Sequence, residues 1–589
     1  MPKNWQVNPP VPAEFIKKHP NLHPVLLQII FDRGLTTAEE IADFFNDEIF
    51  PEDYTAKYDP FLFKDMAAAV DLVIKHIKAG DKIMVYGDYD ADGVTATVIL
   101  YETLQILKAN VGFYLPDRVS EGYGLSAKAL EEIVRDNFKL IITVDCGTRN
   151  PEEVAAARAK GIDVIVTDHH VLAEDPKDVP DCLLINGANP ADKYPFKFLA
   201  GVGISFKLIE ALISKTKLAE DQKKFLLDRN LDLVAIGTVA DLVKLLGENR
   251  LLVKRGLAVL NNTKRLGLQE LFRVAKIGAN GQDLDSWNIA FQLSPRLNAA
   301  SRIDHANTAL ELLITKDRTE ASKIAADLNQ KNIERQKITE EILAKVEAKL
   351  DIKTDLQSGL RIVPEILIGL CDFDESSWNE GVIGLVAGKL AEKYYRPALV
   401  ITRTSDGFKG SGRSIEEFNL IAAIENGNEF LDKYGGHPMA CGFSVYSEEK
   451  LNKFIDYLKK NAAAKLAGLE LMPKLKIDAE LKFGEIDLAL CGQIEKLAPY
   501  GQNNPQPRFV SYQVMVGEIV NMGSDNQHIK LRLTDPNDKA KNFWAVAFGK
   551  SEEYGHFQVG DMIDAVYYLE INKFNGRREA QMKIIDIRK

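Results

Sequence analysis

Eight ionisable residues stand at the ends of short apolar runs: Asp88, Asp90 and Asp92 in KIMVYGDYDADG (82–93), Asp145 in KLIITVDCG (139–147), Asp168, His169 and His170 in DVIVTDHH (163–170), and Asp241 in LDLVAIGTVAD (231–241). Carboxylate oxygens with one or two imidazoles suit Mn2+ or Mg2+ better than zinc, whose structural sites favour thiolates. In GDYDADG the carboxylates fall at every second position, so a strand-to-loop turn lets two face one ion while the third braces or bridges. One Asp-rich turn alone is commonly a solvated loop or a helix cap. Four acidic ends together point to a pair of divalent metals, because that much negative charge gathers in one crevice only when cations neutralise it. Side chains of adjacent residues leave a strand end in different directions. His169 can therefore bind metal while His170 reaches a substrate oxygen, and Asp168 can orient either imidazole.

Positioning these groups is the task of the runs before them, which are rich in Val and Ile with helical sequence between. They read as four buried parallel strands whose carboxyl ends share one edge of a sheet, where open α/β sheets hold their sites. A second region offers anion contacts. Ser411, Arg413 and Ser414 lie beside glycines in KGSGRS (409–414), read as a basic turn whose N–H groups and guanidinium surround a phosphate. Arg118 in LPDRVSEGYG and Arg296 and Arg302 in SPRLNAASR can add phosphate contacts, although any one of them alone reads equally as a surface arginine. His437 in GGHPMACG reads as a loop residue near the same crevice or as a satisfied turn residue.

At 589 residues the chain exceeds what one core supports, so several domains are expected. Its 46% hydrophobic and 27% charged content is that of an ordinary soluble protein, with no stretch near the roughly 20 apolar residues of a membrane span. The opening MPKNWQVNPPVPAEF lacks the regions of a signal peptide, so a cytoplasmic protein without membrane contact is expected. Cys146, Cys182, Cys371, Cys441 and Cys491 are scattered and odd in number, which fits small core residues better than a zinc site or disulfides. A net charge of −11 argues against non-specific coating of nucleic acid, but from Leu471 onward 16 basic residues balance 16 acidic ones. The far end can hold a polyanion that an acidic, metal-loaded centre then cleaves.

The expected organisation is α/β. An N-terminal extension (1–64) precedes a parallel-sheet catalytic domain (65–262) and a helical region (263–360). In that region 317–350, free of Gly and Pro, reads as a connecting helix of about 50 Å. A second α/β domain (361–468) follows, with a Gly-rich turn at 380–384. The remainder (469–589) shows five short alternating strands with Gly and Asn turns, read as an OB-fold β-barrel. Phe543, Trp544, Phe574, Arg577 and Arg578 are its candidate strand-gripping residues.

GDYDADG, TVDCG, TDHH and GTVAD, in that order, resemble the DHH phosphoesterase superfamily, and SPRLNAASR, GVIG, GSGRS and GGHPMACG resemble its associated DHHA1-type domain. With LAPYGQNNPQP and EINKFNGRR the likeness extends over nearly the whole chain after about Ile77 and is strongest to the family's single-stranded-DNA exonucleases. The resemblance implies two Mn2+ or Mg2+ ions on Asp90, Asp92, Asp145, His169 and Asp241, with Asp88 as ligand or close support. It implies catalytic work for His170, Asp168, Arg296 and His437, and substrate contacts from Arg118, Arg302, Ser411, Arg413 and Arg577. The activity implied is 5′ to 3′ hydrolysis of single-stranded DNA in repair and recombination, with a helicase and a single-strand-binding protein as suppliers of substrate. Three positions depart from the family pattern: Asn379 for His in WHxGVIG, Ser301 for Gly in NAAGR, and Asn503 for Gly in GxGNP. The alternatives are a phosphodiesterase for short oligonucleotides or cyclic dinucleotides, a pyrophosphatase, and a non-catalytic replication scaffold. A strand-gripping barrel argues against the first two, and an intact set of mutually repelling ligands argues against the third.

Overall fold

Five parallel strands, β1 (Lys82–Tyr86), β2 (Asn110–Tyr114), β3 (Phe138–Val144), β4 (Asp163–Thr167) and β5 (Leu183–Ile185), form one sheet in the order β2-β1-β3-β4-β5. The chain reverses its direction of strand addition between β1 and β3, and the crevice that such a reversal opens beyond the carboxyl ends is where doubly wound sheets bind ligands. GDYDADG follows β1 and TVDCG ends β3, so the order of strands alone brings Asp88, Asp90 and Asp145 together. The computed structural model describes residues 3–45, 57–279, 281–350, 352–354, 361–372, 376–574 and 576–589.

The fourth expected strand is a helix. Residues Leu231–Ala240 form α3, which packs with α1 (Ala91–Ile106) and α2 (Gly201–Ser214). LDLVAIGTVA is buried on every side, so its composition carries neither a 3.6 nor a 2.0 period, and an apolar run of that kind is readable as strand or helix. Asp241 still arrives where the sequence placed it, as the C-cap of α3. Gly237 allows the close approach: a Cβ there would lie 2.4 Å from Thr95 Oγ1 and 2.7 Å from Asp92 Oδ1.

Beyond α4 (Ser294–Ile303), helix α5 spans Arg318–Lys349, 32 residues capped by Asp317 Oδ1 accepting from Glu320 N at 2.8 Å, and it packs along both α4 and α6 (Glu380–Tyr394). The second sheet runs β9-β10-β8-β7-β6, where β6 is Leu367–Leu370, β7 Ala398–Thr404, β8 Gly407–Arg413, β9 Lys433–His437 and β10 Ala440–Val445. β6 and β7 are parallel across α6, and the other pairs are antiparallel. Two expected turns are therefore regular structure. All of KGSGRS except Ser414 lies in β8, and its glycines make room for neighbours: a Cβ on Gly410 would meet the Phe443 ring at 2.1 Å. The Gly-rich stretch at 380–384 is the first turn of α6, where Asn379 Oδ1 accepts from Gly381 N at 2.8 Å. The asparagine that departs from the family pattern is thus a helix cap.

The chain divides into two units. One holds Tyr58–Asp241 and Arg255–Pro473, and the other holds Lys3–Lys57, Leu242–Lys254 and Lys474–Lys589. In the second unit β11 (Phe509–Met522), β12 (His528–Thr534), β13 (Asn542–Ala547), β14 (Met562–Phe574) and β15 (Arg577–Arg588) pair as β11-β12-β13-β15-β14, and β14 returns to β11 to close the barrel. The N-terminal segment belongs to this unit: strand Asn4–Val7 pairs in parallel with Lys474–Ile477, and Trp5 Nε1 donates to Asp586 Oδ2 at 2.7 Å. Asn503, which replaces a family glycine, has φ +60°, a conformation asparagine tolerates better than most residues. No helix among the described residues is long and apolar enough to cross a membrane. All five cysteines are free and four are buried.

Candidate active site

The N-termini of two helices and the C-terminus of a third point at the β1/β3 crevice. Asp90 caps α1, its Oδ1 accepting from Asp92 N at 2.9 Å and Gly93 N at 3.1 Å. Asp92, in the first turn of α1, accepts from Gly201 N at 2.7 Å and Val202 N at 2.9 Å, the free N–H groups that open α2. These helix ends favour carboxylates. Asp241 is in the opposite situation, because the negative end of α3 disfavours its charge. Asp145 occupies the left-handed region at φ +61°, a conformation an aspartate holds only where surroundings fix it, and it presses against the start of α2.

Four polar atoms at the centre are buried with no hydrogen-bond partner: Asp88 Oδ1, Asp145 Oδ1, His169 Nε2 and Asp241 Oδ2. His169 Nε2 lies 3.2 Å from Asp145 Oδ1 and 3.4 Å from Asp241 Oδ2. Donor atoms of Asp88, Asp90 and Asp145 fall within 4.8 Å of one another, as do those of Asp92, His169 and Asp241, and Asp145 also groups with Asp168, His169 and His170. Orphaned buried donors are costly without a partner. Two clusters of hard oxygens, one of them with an imidazole, fit a pair of divalent cations, with Asp145 placed to serve both.

Electrostatics agree with this. Burial, then the charge of Asp90, pushes Asp92 up to about 7, and burial, then Asp92, pushes Asp241 up to about 9. Burial and neighbouring carboxylates hold Asp88 and Asp145 well above the usual carboxylate range. His169 is pulled down to about 4 by burial and then by His170, so it is a neutral imidazole, the form that binds metal. His170 differs. Burial lowers it, but the hydrogen bond to Asp168 and that residue's charge outweigh burial and leave it above its ordinary value.

The two imidazoles of TDHH thus stand in different surroundings. Asp168 is buried; its Oδ1 accepts from His170 Nδ1 at 2.7 Å and from His169 N, and its Oδ2 accepts from Thr148 N. It orients His170 rather than His169. The crevice, about 360 Å³, is lined by Asp88, Asp90, Asp145, His170 and Asp241 together with Arg118, Arg302 and Asn298. Arg118 lies 4.0 Å from the Tyr89 ring centroid and donates to Ser301 Oγ at 3.2 Å, so the serine that departs from the family pattern steadies an arginine.

Ser411 and Arg413 stand side by side on β8 against the first turn of α6: a Cβ on Gly384 would meet Ser411 Oγ at 2.9 Å and Arg413 Nη2 at 3.4 Å. His437 is exposed on edge strand β9, in the row Arg413–Ala440–His437 across the sheet. Arg296 does not line the crevice; its Nε donates to Asn329 Oδ1 and its Nη1 to Gln292 O. Sequence reasoning passed over Tyr123, whose hydroxyl lies 2.9 Å from His170 Nδ1 and donates to Asp145 O at 3.2 Å, and Asn298, which accepts from Ala91 N at 2.8 Å. Both stand inside quoted motifs, LPDRVSEGYG and SPRLNAASR, but nothing in their spacing distinguishes them.

In the second unit, half-buried Trp544 lines a surface recess, with Lys530 Nζ 4.3 Å and Arg532 Cζ 5.0 Å from its ring centroid. Arg577 lines the same recess. Phe543 points the other way, packed against the barrel core and Phe483, as strand alternation requires. Arg578 is exposed, and the Phe574 side chain lies outside the described residues.

Comparison with known proteins gives the same picture. Family models of the DHH family N-terminal domain, the DHHA1 domain and the RecJ OB domain match residues 82–238, 362–464 and 477–586. The chain is 36% identical to the single-stranded-DNA-specific exonuclease RecJ of Bacillus subtilis, covering 99% of this chain and 70% of that protein. It is 32% identical to the Haemophilus influenzae protein of the same name, covering 88% and 89%. The crystal structure of Thermus thermophilus RecJ in complex with Mn2+ matches at 26% identity with a TM-score of 0.78, covering 100% of this chain and 79% of that one. A manganese-bound exonuclease RecJ matches at 32% identity with a TM-score of 0.58, covering 69% and 98%. The chain belongs to the RecJ family of single-stranded-DNA-specific exonucleases, with the DHH, DHHA1 and OB domains in sequence.

Proposed function

We propose that this protein is a metal-dependent exonuclease that hydrolyses phosphodiester bonds of single-stranded DNA from the 5′ end. The observation that carries the reading is the quartet of buried, partnerless ligand atoms on Asp88, Asp145, His169 and Asp241, three of which belong to residues that line a crevice shared with Arg118 and Arg302. Mn2+ or Mg2+ held by Asp88, Asp90 and Asp145 and by Asp92, His169 and Asp241 would supply a water of lowered pKa and a counter-charge for the phosphoryl oxygens. The protein's own part is positioning and electrostatics. His170, its Nδ1 committed to Asp168, is left with Nε2 to donate a proton or hydrogen bond to a phosphate oxygen. Arg118, stacked on Tyr89, fixes a non-bridging oxygen of the same phosphate. Ser411 and Arg413 would take the 5′-terminal phosphate, which gives the polarity.

The barrel supports a polymer as substrate. A tryptophan ring with Lys530 and Arg532 over it, and Arg577 in the same recess, suits bases and phosphates of a single strand. A helicase and a strand-binding protein would supply such strands. The test is digestion of end-labelled single-stranded and duplex DNA and RNA by metal-stripped protein given back Mn2+ or Mg2+. Release of mononucleotides from the 5′ end of single-stranded DNA alone is the expected result. Loss of the 3′ label first would overturn the polarity, and equal attack on duplex would overturn the substrate class.

A further inference from the structure

The stretch EGYG (121–124) holds an aromatic ring at the crevice by means that a loose surface loop does not have. Tyr123 is exposed and lines the crevice, yet its neighbours are fixed. Gly122 and Gly124 take φ +81° and +87°, conformations that favour glycine, and a Cβ on Gly124 would meet Asn150 Oδ1 at 2.3 Å. Gly124 O accepts from the buried Tyr86 hydroxyl at 2.9 Å. Leu125 exchanges hydrogen bonds with the Asn150 amide, its N donating to Oδ1 at 3.2 Å and its O accepting from Nδ2 at 3.3 Å. The ring so held meets the His170 imidazole edge-on, with centroids 5.2 Å apart. A phenol has one proton to give, and here it goes to Asp145 O at 3.2 Å. The oxygen is left with its lone pairs for His170 Nδ1, 2.9 Å away. Asp168 Oδ1 is the other acceptor at Nδ1, but it already takes His169 N at 2.7 Å and His170 N at 3.2 Å, so the bond from Nδ1 at 2.7 Å is the third on one oxygen.

We infer that Tyr123 is a positioning residue for His170: its phenol oxygen is a second acceptor for the Nδ1 proton and, with Asp168, fixes the imidazole so that Nε2 is left for the crevice. The inference rests on the exonuclease reading, in which Nε2 serves a phosphate oxygen. Asp168 precedes His170 on the same turn of chain and moves with it. Tyr123 is fixed separately, through Gly124 O, to Tyr86 of β1, so the second contact ties the ring to another strand of the sheet. Two acceptors at Nδ1 also keep that nitrogen the protonated one. Asp145 does not depend on the hydroxyl in the same way, because its N donates to Thr167 O at 3.0 Å and its side chain presses on Gly201. Metal binding should therefore survive loss of the phenol oxygen.

The experiment is steady-state hydrolysis of a 5′-phosphorylated oligo-dT in Mn2+ by full-length wild type, Tyr123→Phe, His170→Ala and the double variant, with Mn2+ affinity measured by calorimetry. Tyr123→Phe keeps the ring and drops only the hydroxyl. It should lower kcat about tenfold, the worth of one hydrogen bond, with KM and Mn2+ affinity within about twofold. In the His170→Ala background it should cost less than about twofold, because the group it positions is gone. Wild-type kcat in Tyr123→Phe overturns the inference, as does a tenfold loss that persists without His170 or a parallel loss of Mn2+ affinity. A readout independent of turnover is the His170 Nδ1–H proton resonance in histidine-labelled protein loaded with Mg2+, assigned by its absence in His170→Ala. In Tyr123→Phe it should move and exchange faster with solvent, and a signal unchanged in both respects overturns the inference. If wild type degrades no DNA at all, it is the exonuclease reading that fails, while that signal still reports the hold on His170.

Discussion

Gly201→Ala tests how tightly the fold holds the metal ligands, because it adds one methyl group at a residue with no side chain to take part in chemistry. A Cβ at 201 would stand 2.4 Å from both Cβ and Oδ1 of Asp145 and 2.5 Å from its Cγ. Carbon–carbon contact requires about 3.5 Å, so something must move by about 1 Å. Helix α2 cannot retreat cheaply, since Gly201 N and Val202 N are both bound to the buried Asp92 carboxylate. Asp145, already in a left-handed conformation, is the element that yields. Overpacking of this size costs about 1 to 3 kcal/mol of stability, which a chain of this size survives. A 1 Å displacement of a reacting constellation costs about 100-fold in rate. Folded Gly201→Ala should therefore show a modestly lower Tm, about 100-fold lower kcat/KM on oligo-dT, and weakened Mn2+ binding by calorimetry. Wild-type turnover and Mn2+ affinity in the variant would refute the claim that Asp145 is pinned against α2 for metal binding.

Histidine variants should separate two roles: His169→Ala should lose bound Mn2+, whereas His170→Ala should keep it and lose turnover, and equal metal loss by elemental analysis would merge the roles. Stability should depend on pH and metal together. Asp92 and Asp241, raised to about 7 and about 9, bind more protons folded than unfolded, so the chelated protein should lose Tm as pH rises from about 5 to 9. Added Mn2+ displaces those protons and should raise Tm more at pH 8.5 than at pH 5.5; the same gain at both would contradict the raised values. Trp544→Ala should raise KM for long strands by about tenfold, the worth of one stacked base, and should leave trinucleotides unaffected; an unchanged KM for long strands would make the ring structural.

Much of this site could be read from the chain because its parts follow from local chemistry. Alternating Asp after the apolar run KIMVY marked β1 and its loop, and TDHH marked β4. The order of motifs then put all eight groups in one crevice. What could not be read was context. LDLVAIGTVA is buried all round, so no period distinguished helix from strand. KGSGRS carries glycines to admit Phe443 and Leu420, a packing reason that looks like a turn in sequence. Tyr123 is ordinary until the fold brings it to His170. Phe543 and Trp544 are adjacent aromatics that one strand sends to opposite faces.

A pair of metals in the β1/β3 crevice is what the proposed hydrolysis requires, and crystals soaked in Mn2+ and measured at the manganese edge test that directly. Two anomalous peaks are predicted, one within reach of Asp88, Asp90 and Asp145 and the other of Asp92, His169 and Asp241. A single peak, or peaks only elsewhere on the chain, would contradict it.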